Sequence, residues 1–185
     1  MPMILRDATA ADLPAITRIY ADSVENGVAS YELVTPDQAE MGRRMAAIRD
    51  NGFPYLAATD GDGTLLGYAY ASAFRTRPAY RWLVEDSIYL ASGARGRGVG
   101  LALLTELVAR CEALGFRQMV AVIGGAHPAS VAVHQKAGFS SAGLIRGSGF
   151  KQGRWLDTVF MQRALGEGTA TDPDPRVYPG SLFAG

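Results

Sequence analysis

The chain has a single cysteine, Cys111, so no disulfide can close within it. A lone thiol fits a reducing compartment, and a cytoplasmic protein is expected. There is no charge excess: 18 basic and 18 acidic residues give a formal net charge of +0. No global field draws the chain to nucleic acid, so any basic site must be local. No apolar run is long enough to cross a bilayer, and no membrane partner is expected. The opening MPMILRDATAADLP brings in Arg6 and Asp7 early, which predicts neither a signal peptide nor an anchor. No internal repeat is present, and no metal is expected. What remains is a chain of 185 residues with 48% hydrophobic composition, enough for one domain with a full core.

Periodicity divides that domain. Met3 to Arg6 is a short apolar run and a first strand. Thr9 is placed to cap a helix, with Asp12 three residues on and Leu13, Ile16, Ile19 and Tyr20 at helical spacing. Thr35 is expected to cap a second helix, with Pro36 in its first turn and Gly52 past its end. YLAAT and LLGYAYASAF flank the turn DGDG and read as a hairpin. VEDSIYL is a strand, and Leu104, Leu107, Val108, Cys111 and Leu114 form the apolar stripe of the helix after it. MVAVI is a buried strand, HPASVAVHQKAG a short helix, and AGLIR and WLDTVFMQRAL two closing strands. The order β-α-α-β-β-β-α-β-α-β-β predicts a mixed α/β sandwich around one central sheet. From Gly166 to Gly185 the chain is rich in Pro and Gly and reads as a flexible tail on a domain of residues 1–165. Tyr178, Leu182 and Phe183 are its candidate docking side chains.

The chemistry concentrates between Val84 and Gly100. ARGRGVG places Gly96, Gly98 and Gly100 at alternate positions just before a strong helix. Small residues let backbone N–H groups approach an anion, and the helix start adds its positive end. Arg95 and Arg97 offer bidentate charge to phosphate oxygens. Two common nucleotide motifs fail at named positions. A P-loop needs Lys-Ser/Thr after its last glycine, and Leu101 and Ala102 stand there. The dinucleotide fingerprint needs a third glycine where Leu101 stands.

RGRGVG does fit the pattern Q/R-x-x-G-x-G/A, and here the chain resembles the GNAT superfamily of N-acetyltransferases. YRWLVEDSIYL, AVIGG, SVAVHQKAGF and GFKQGRWLDTVFMQ are similar, more narrowly, to its phosphinothricin and methionine sulfone/sulfoximine acetyltransferase branch. The likeness spans about Met3 to Leu165. It implies a GNAT-type, largely antiparallel sheet flanked by helices, an acetyl-CoA co-substrate, a small amino-acid-like acceptor and a homodimer. It also implies that the backbone of Ile88, Tyr89 and Leu90 holds the pantetheine arm. The pyrophosphate then falls to Arg95, Gly96, Arg97, Gly98, Val99 and Gly100.

Glu85 matches the proposed general base of that branch. An α-amine, with a reference pKa of about 8, suits a glutamate lifted by burial far better than a lysine at about 10.4. A plain salt bridge between Glu85 and a nearby arginine is the competing role. Strand alternation sets Val84, Asp86, Ile88 and Leu90 on one face and Glu85, Ser87 and Tyr89 on the other. Asp86 spoils the apolar face, and the resemblance implies a β-bulge near here that is able to re-aim it. FRTRPAYRW supplies arginines for a substrate carboxylate, with Arg75 favoured. Phe74, Thr76, Tyr80 and Trp82 line the same loop, and Tyr31 is a further substrate candidate. His134 stands where the branch usually has histidine, open to two roles: proton donor to the leaving thiol, or a packed helix residue. Ser130 aligns with a CoA contact and equally suits a helix cap. His127 departs from the asparagine common in relatives and is expected beside the cofactor arm. Lys151, Trp155 and Asp157 belong to the closing hairpin; they are read as structural, with a pocket floor or a dimer edge as the other roles open to Trp155 and Asp157. Cys111 sits among core residues, which argues against an acetyl-cysteine route. Two other functions stay open: acetylation of a protein N-terminus or polyamine, and a non-catalytic acyl-CoA-binding module.

Overall fold

The computed structural model describes residues 2–177. Its elements follow the expected order: β1 (Ile4–Asp7), α1 (Leu13–Glu25), α2 (Gln38–Asp50), β2 (Tyr55–Thr59), β3 (Leu65–Ala73), β4 (Leu83–Leu90), α3 (Val99–Ala113), β5 (Gln118–Gly124), α4 (Pro128–Lys136), β6 (Ser140–Lys151) and β7 (Arg154–Ala164). The seven strands form one sheet in the order β1-β2-β3-β4-β5-β7-β6. Only β4 and β5 run parallel; every other neighbouring pair is antiparallel. The fold class is therefore the expected mixed α/β sheet.

Each face of the sheet buries its own helices. Leu103, Leu104, Leu107, Val108 and Cys111 of α3 pack on Val84, Met119, Ala121 and Met161. On the other face, Ile16, Ile19, Tyr20, Met41 and Met45 of α1 and α2 cover Tyr55, Ala57 and Tyr68. Both helices carry the apolar spacing that this burial needs.

Three local expectations change. Ala10–Asp12 forms a 3-10 turn before α1, with the Thr9 N–H donating to Asp12 at 2.7 Å. Asp37, not Thr35, caps α2: its carboxylate accepts the Glu40 N–H at 2.8 Å. The Thr35 hydroxyl instead donates to Glu25. No bulge re-aims Asp86, because the β3–β4 register runs unbroken from Gly67↔Leu90 to Ala73↔Val84. The acid stays on the buried face because it has a partner there.

β6 is longer than the run AGLIR and exposed along nearly its whole length. As an edge strand it needs no apolar alternation to stay paired. After β7 the chain is tied back by Arg117, which donates to the Gly168 carbonyl at 3.3 Å and to Thr171 and the Asp172 carbonyl at 2.9 Å each. Tyr178, Leu182 and Phe183 lie outside the described residues.

Candidate active site

The β4–β5 ladder holds from Leu83↔Gln118 to Asp86↔Ala121 and then stops. Both strands continue, β4 to Leu90 and β5 to Gly124. From Ser87 onward β4 keeps its pairing with β3 but has none with β5. Backbone groups facing the gap need another partner, because a buried N–H or C=O is rarely left unpaired. Ile88, Tyr89 and Leu90 lie on this stretch. An extended arm of amides, such as pantetheine, fits such an opening.

The glycine loop follows directly. Gly96 has φ +74 and Gly98 φ +81, and a Cβ at either would meet nothing within 4 Å. The demand for glycine is thus conformational, not spatial. Gly98 caps α3 in the left-handed conformation. The first N–H groups of α3, beginning at Val99, have no acceptor inside the helix and form its anion-binding end. Gly100 packs closely, with its Cβ position 3.4 Å from Leu90 and 3.9 Å from Val133 of α4. That contact joins the loop, the end of β4 and α4. Arg95 is paired with Asp22 at 3.0 Å, whereas Arg97 reaches only the Gly93 carbonyl at 3.4 Å. Of the two, Arg97 is the freer cation.

Glu85 lies opposite Ser72 of β3, one position before the ladder ends. Burial raises its carboxyl, the neighbouring Asp86 raises it further, and Arg75 pulls it back, leaving it at about 7. Among the described residues no arginine forms an ion pair with it. Arg75 stacks on the Phe74 ring at 4.4 Å, and Phe74 meets Tyr80 edge-on at 6.1 Å. Arg75, Thr76, Arg77 and Tyr80 line an open cleft beside it. Trp82 opens the parallel pairing: its carbonyl accepts the N–H groups of Arg117 and Gln118.

Tyr31 reaches the end of β5. Its hydroxyl donates to the Asp157 carbonyl at 3.1 Å, accepts the Gly125 N–H at 3.2 Å and lies 2.8 Å from Thr158. It straps the α1–α2 loop to the far end of β5. Lys151 does the same from the hairpin, donating to the Ser30 carbonyl at 2.8 Å. Asp157 accepts the Gly147 N–H at 2.9 Å, and Trp155 stands 70% exposed. Cys111 is buried, and its thiol is pushed up to about 12 by burial and by Asp86, which leaves no thiolate for catalysis.

His127 precedes α4 as its N-cap residue and is exposed, with no side-chain bond to the helix. Ser130 follows in the first turn of α4. His134 is buried, with Nδ1 2.7 Å from the Ser130 carbonyl and Nε2 3.0 Å from Asp86. Both ring nitrogens are engaged, which suits the packed-helix role of the two open to His134. The residue that sequence reasoning undervalued is Asp86. A second omission is Tyr70, which sits opposite Ser87 and senses the charge of Glu85. The strand register reveals Tyr70, and the packing of α4 on the sheet reveals the partner of Asp86.

This geometry agrees with known proteins. Residues 5–160 match the family model of an acetyltransferase (GNAT) domain. The chain is 52% identical over 164 residues to a phosphinothricin N-acetyltransferase of Alcaligenes faecalis, covering 88% of this chain and 83% of the relative. It is 40% identical to an L-methionine sulfoximine/L-methionine sulfone acetyltransferase of Pseudomonas paraeruginosa, covering 89% and 96%. The crystal structure of a GNAT superfamily phosphinothricin acetyltransferase from Sinorhizobium meliloti, in complex with AcCoA, aligns with a TM-score of 0.96 at 63% identity over 99% of both chains. A strand pair that parts beside a glycine-arginine loop, on a sheet of this order, is what such a domain requires, and the chain belongs to the GNAT family of acetyl-CoA-dependent N-acetyltransferases.

Proposed function

We propose that this enzyme acetylates the α-amino group of a small amino-acid-like substrate, of the phosphinothricin and methionine sulfoximine/sulfone class, by direct transfer from acetyl-CoA. The carrying observation is Glu85: a carboxyl lifted to about 7, unpaired by any described arginine, that senses the charge of Arg75, a lining residue of the cationic cleft. The names of the relatives above support the acceptor class. Bound acetyl-CoA supplies an activated thioester. Ile88 to Leu90 would hold its arm, with Ser130 and His127 on the α4 side, and Arg95 to Gly100 would hold the pyrophosphate. Backbone N–H groups at the opening polarise the carbonyl.

Glu85 takes the proton of the acceptor amine, directly or through water. With its carboxyl near 7 it is largely ionised at the mildly alkaline pH where an α-amine, near 8, begins to lose its proton. Arg75 holds the acceptor's carboxylate, and Phe74, Thr76, Tyr80 and Trp82 shape the cleft around it. A polyamine would be repelled by Arg75 and Arg77.

Leu144, Ile145, Phe150 and Trp155 are exposed apolar residues of the β6–β7 hairpin. They support a homodimer through that edge, which sedimentation of a Trp155→Glu variant tests. The single, buried Cys111 supports a cytoplasmic location.

A thiol-release assay with acetyl-CoA and a panel of amino acids tests the activity. Phosphinothricin, methionine sulfoximine or methionine sulfone should release CoA thiol in step with acetylated product. Release with polyamines or N-terminal peptides alone overturns the acceptor assignment. No release with any amine, despite acetyl-CoA binding, makes the protein an acyl-CoA-binding module.

A further inference from the structure

Asp86 is an acid on an apolar surface. Val84, Ile88 and Leu90 share its side of β4 and belong to the α3-side core. Its side chain is 2% exposed. Oδ2 lies 3.0 Å from His134 Nε2, and Oδ1 has no hydrogen-bond partner. The Ser130 carbonyl, 2.7 Å from His134 Nδ1, can only accept, so Nδ1 carries a proton. An ionised Asp86 also only accepts, so Nε2 carries one too. The ring is then an imidazolium closed at both ends.

The position of this pair matters more than its charge. Asp86 is the last residue of β4 that pairs with β5. Beyond it no ladder holds the two strands together. The chain of β5 continues through Gly125 and Ala126 into α4, which carries His134. The Asp86–His134 bond therefore spans from one wall of the opening to the helix that continues the other wall.

We propose that Asp86 is a positioning residue for acetyl transfer: through His134 it clamps α4 to β4 at the fork and sets the width of the acetyl-CoA cleft. The proposal rests on that cleft being the cofactor site.

The groups around the ring support the charged form. From α3 comes Cys111, whose thiol stays neutral. From β4 come Asp86 and, on the opposite face, Glu85. Met119, Ala121 and Ile123 of β5 are apolar members of the α3-side core. Phe139 meets the ring edge-on at 5.1 Å. Beyond it, Arg163 of β7 donates to the Ala137 carbonyl, and Lys136 is exposed at the end of α4. Burial opposes the charge on His134. The hydrogen bond and charge of Asp86, with the Ser130 carbonyl, outweigh it, so its pKa is raised above 6.5. The clamp is thus complete below about 6.5 and weakens as pH rises through the raised value.

The test pairs a nuclear magnetic resonance titration of His134 with calorimetric binding of acetyl-CoA, across pH 5.5 to 9, in the wild type and in the isosteric Asp86→Asn. The wild-type ring should carry both protons at pH 6 and lose one only above the ordinary histidine range. In the variant it should titrate at least tenfold more readily, a pKa lower by about one unit. Wild-type affinity should fall as His134 deprotonates, while Asp86→Asn should bind about tenfold more weakly at pH 6 with that pH dependence gone. A neutral wild-type ring at pH 6 overturns the proposal without any variant. So does an affinity with the same pH dependence in both proteins. Neither readout involves an acceptor amine, so a protein that passes both and acetylates no amino acid refutes the acceptor assignment and leaves the clamp standing.

Discussion

Glu85 and Asp86 are consecutive in β4, yet their carboxyl groups serve opposite faces of one sheet. Glu85 faces the side where Tyr70 and Arg75 sense its charge, and Asp86 bonds His134 on the side of α3 and α4. The pair is still coupled, since the charge of Asp86 helps lift Glu85. A neutral residue at 86 should therefore move the acid limb of catalysis to lower pH, as well as loosening His134.

The raised carboxyl of Glu85 has a cost in stability that can be measured. Its pKa is about 7 in the folded chain against a reference of 4.5. The folded state thus holds that proton more tightly than the unfolded state. Stability falls as pH rises from about 4.5 to 7, and the whole cost is present above 7. Glu85→Gln removes the cost, by about 1–3 kcal/mol at pH 8. Thermal melts should show a higher Tm for the variant at pH 8 and little difference at pH 4. Turnover should drop about 100-fold or more over the same range. Equal melting at pH 8 would show that the carboxyl is not lifted, and unchanged turnover would remove it from the base role.

Arg75→Ala should act on the acceptor and leave the cofactor alone. Loss of a charge-assisted hydrogen bond to a carboxylate costs about 1.5–3 kcal/mol, or about 10- to 100-fold in acceptor KM. The KM for acetyl-CoA should stay within about twofold. Arg75 also holds Glu85 down, so its removal should shift the acid limb of kcat/KM to higher pH. An unchanged acceptor KM would move the carboxylate site to another cation.

The two loop arginines should differ. Arg95 already has an exposed partner in Asp22, a pair worth little by itself. Arg97→Ala should weaken acetyl-CoA binding more than Arg95→Ala, and Asp22→Ala should strengthen it slightly by freeing Arg95. Gly98→Ala should weaken binding without any clash, because a left-handed φ costs a non-glycine residue about 1–2 kcal/mol. Calorimetry on the four variants gives the ranking. Equal effects at 95 and 97 would show that the Asp22 pair opens freely.

The order of elements was legible because periodicity and turn residues are local signals. The glycine loop was legible for the same reason: the φ values of Gly96 and Gly98 demand glycine whatever the rest of the fold does. The fork was not legible, because the apolar patterns of β4 and β5 continue past the point where pairing ends. Asp86 read as a flaw in an apolar face because its partner stands 48 residues away. The bonds of Tyr31 were hidden for the same reason, since its partners at Asp157 and Thr158 are more than 100 residues on.

That strap gives the last prediction. A Cβ on Gly149 would lie 2.7, 2.8 and 3.2 Å from ring atoms of Tyr31, and one on Gly124 would lie 2.8 Å from the same ring. Gly149 has no left-handed φ, so alanine there meets a steric problem alone. Gly149→Ala should destabilise the fold by about 1–3 kcal/mol, as overpacking does. In a Tyr31→Ala background the obstacle is gone, and the same substitution should cost nearly nothing. Denaturant melts of the two single variants and the double variant close the cycle, with a coupling of about 1 kcal/mol or more expected. Additive effects would mean that Tyr31 swings away freely and that the α1–α2 loop is held by its other bonds, from Lys151 and Tyr20 to Ser30 and from Arg44 to Glu32.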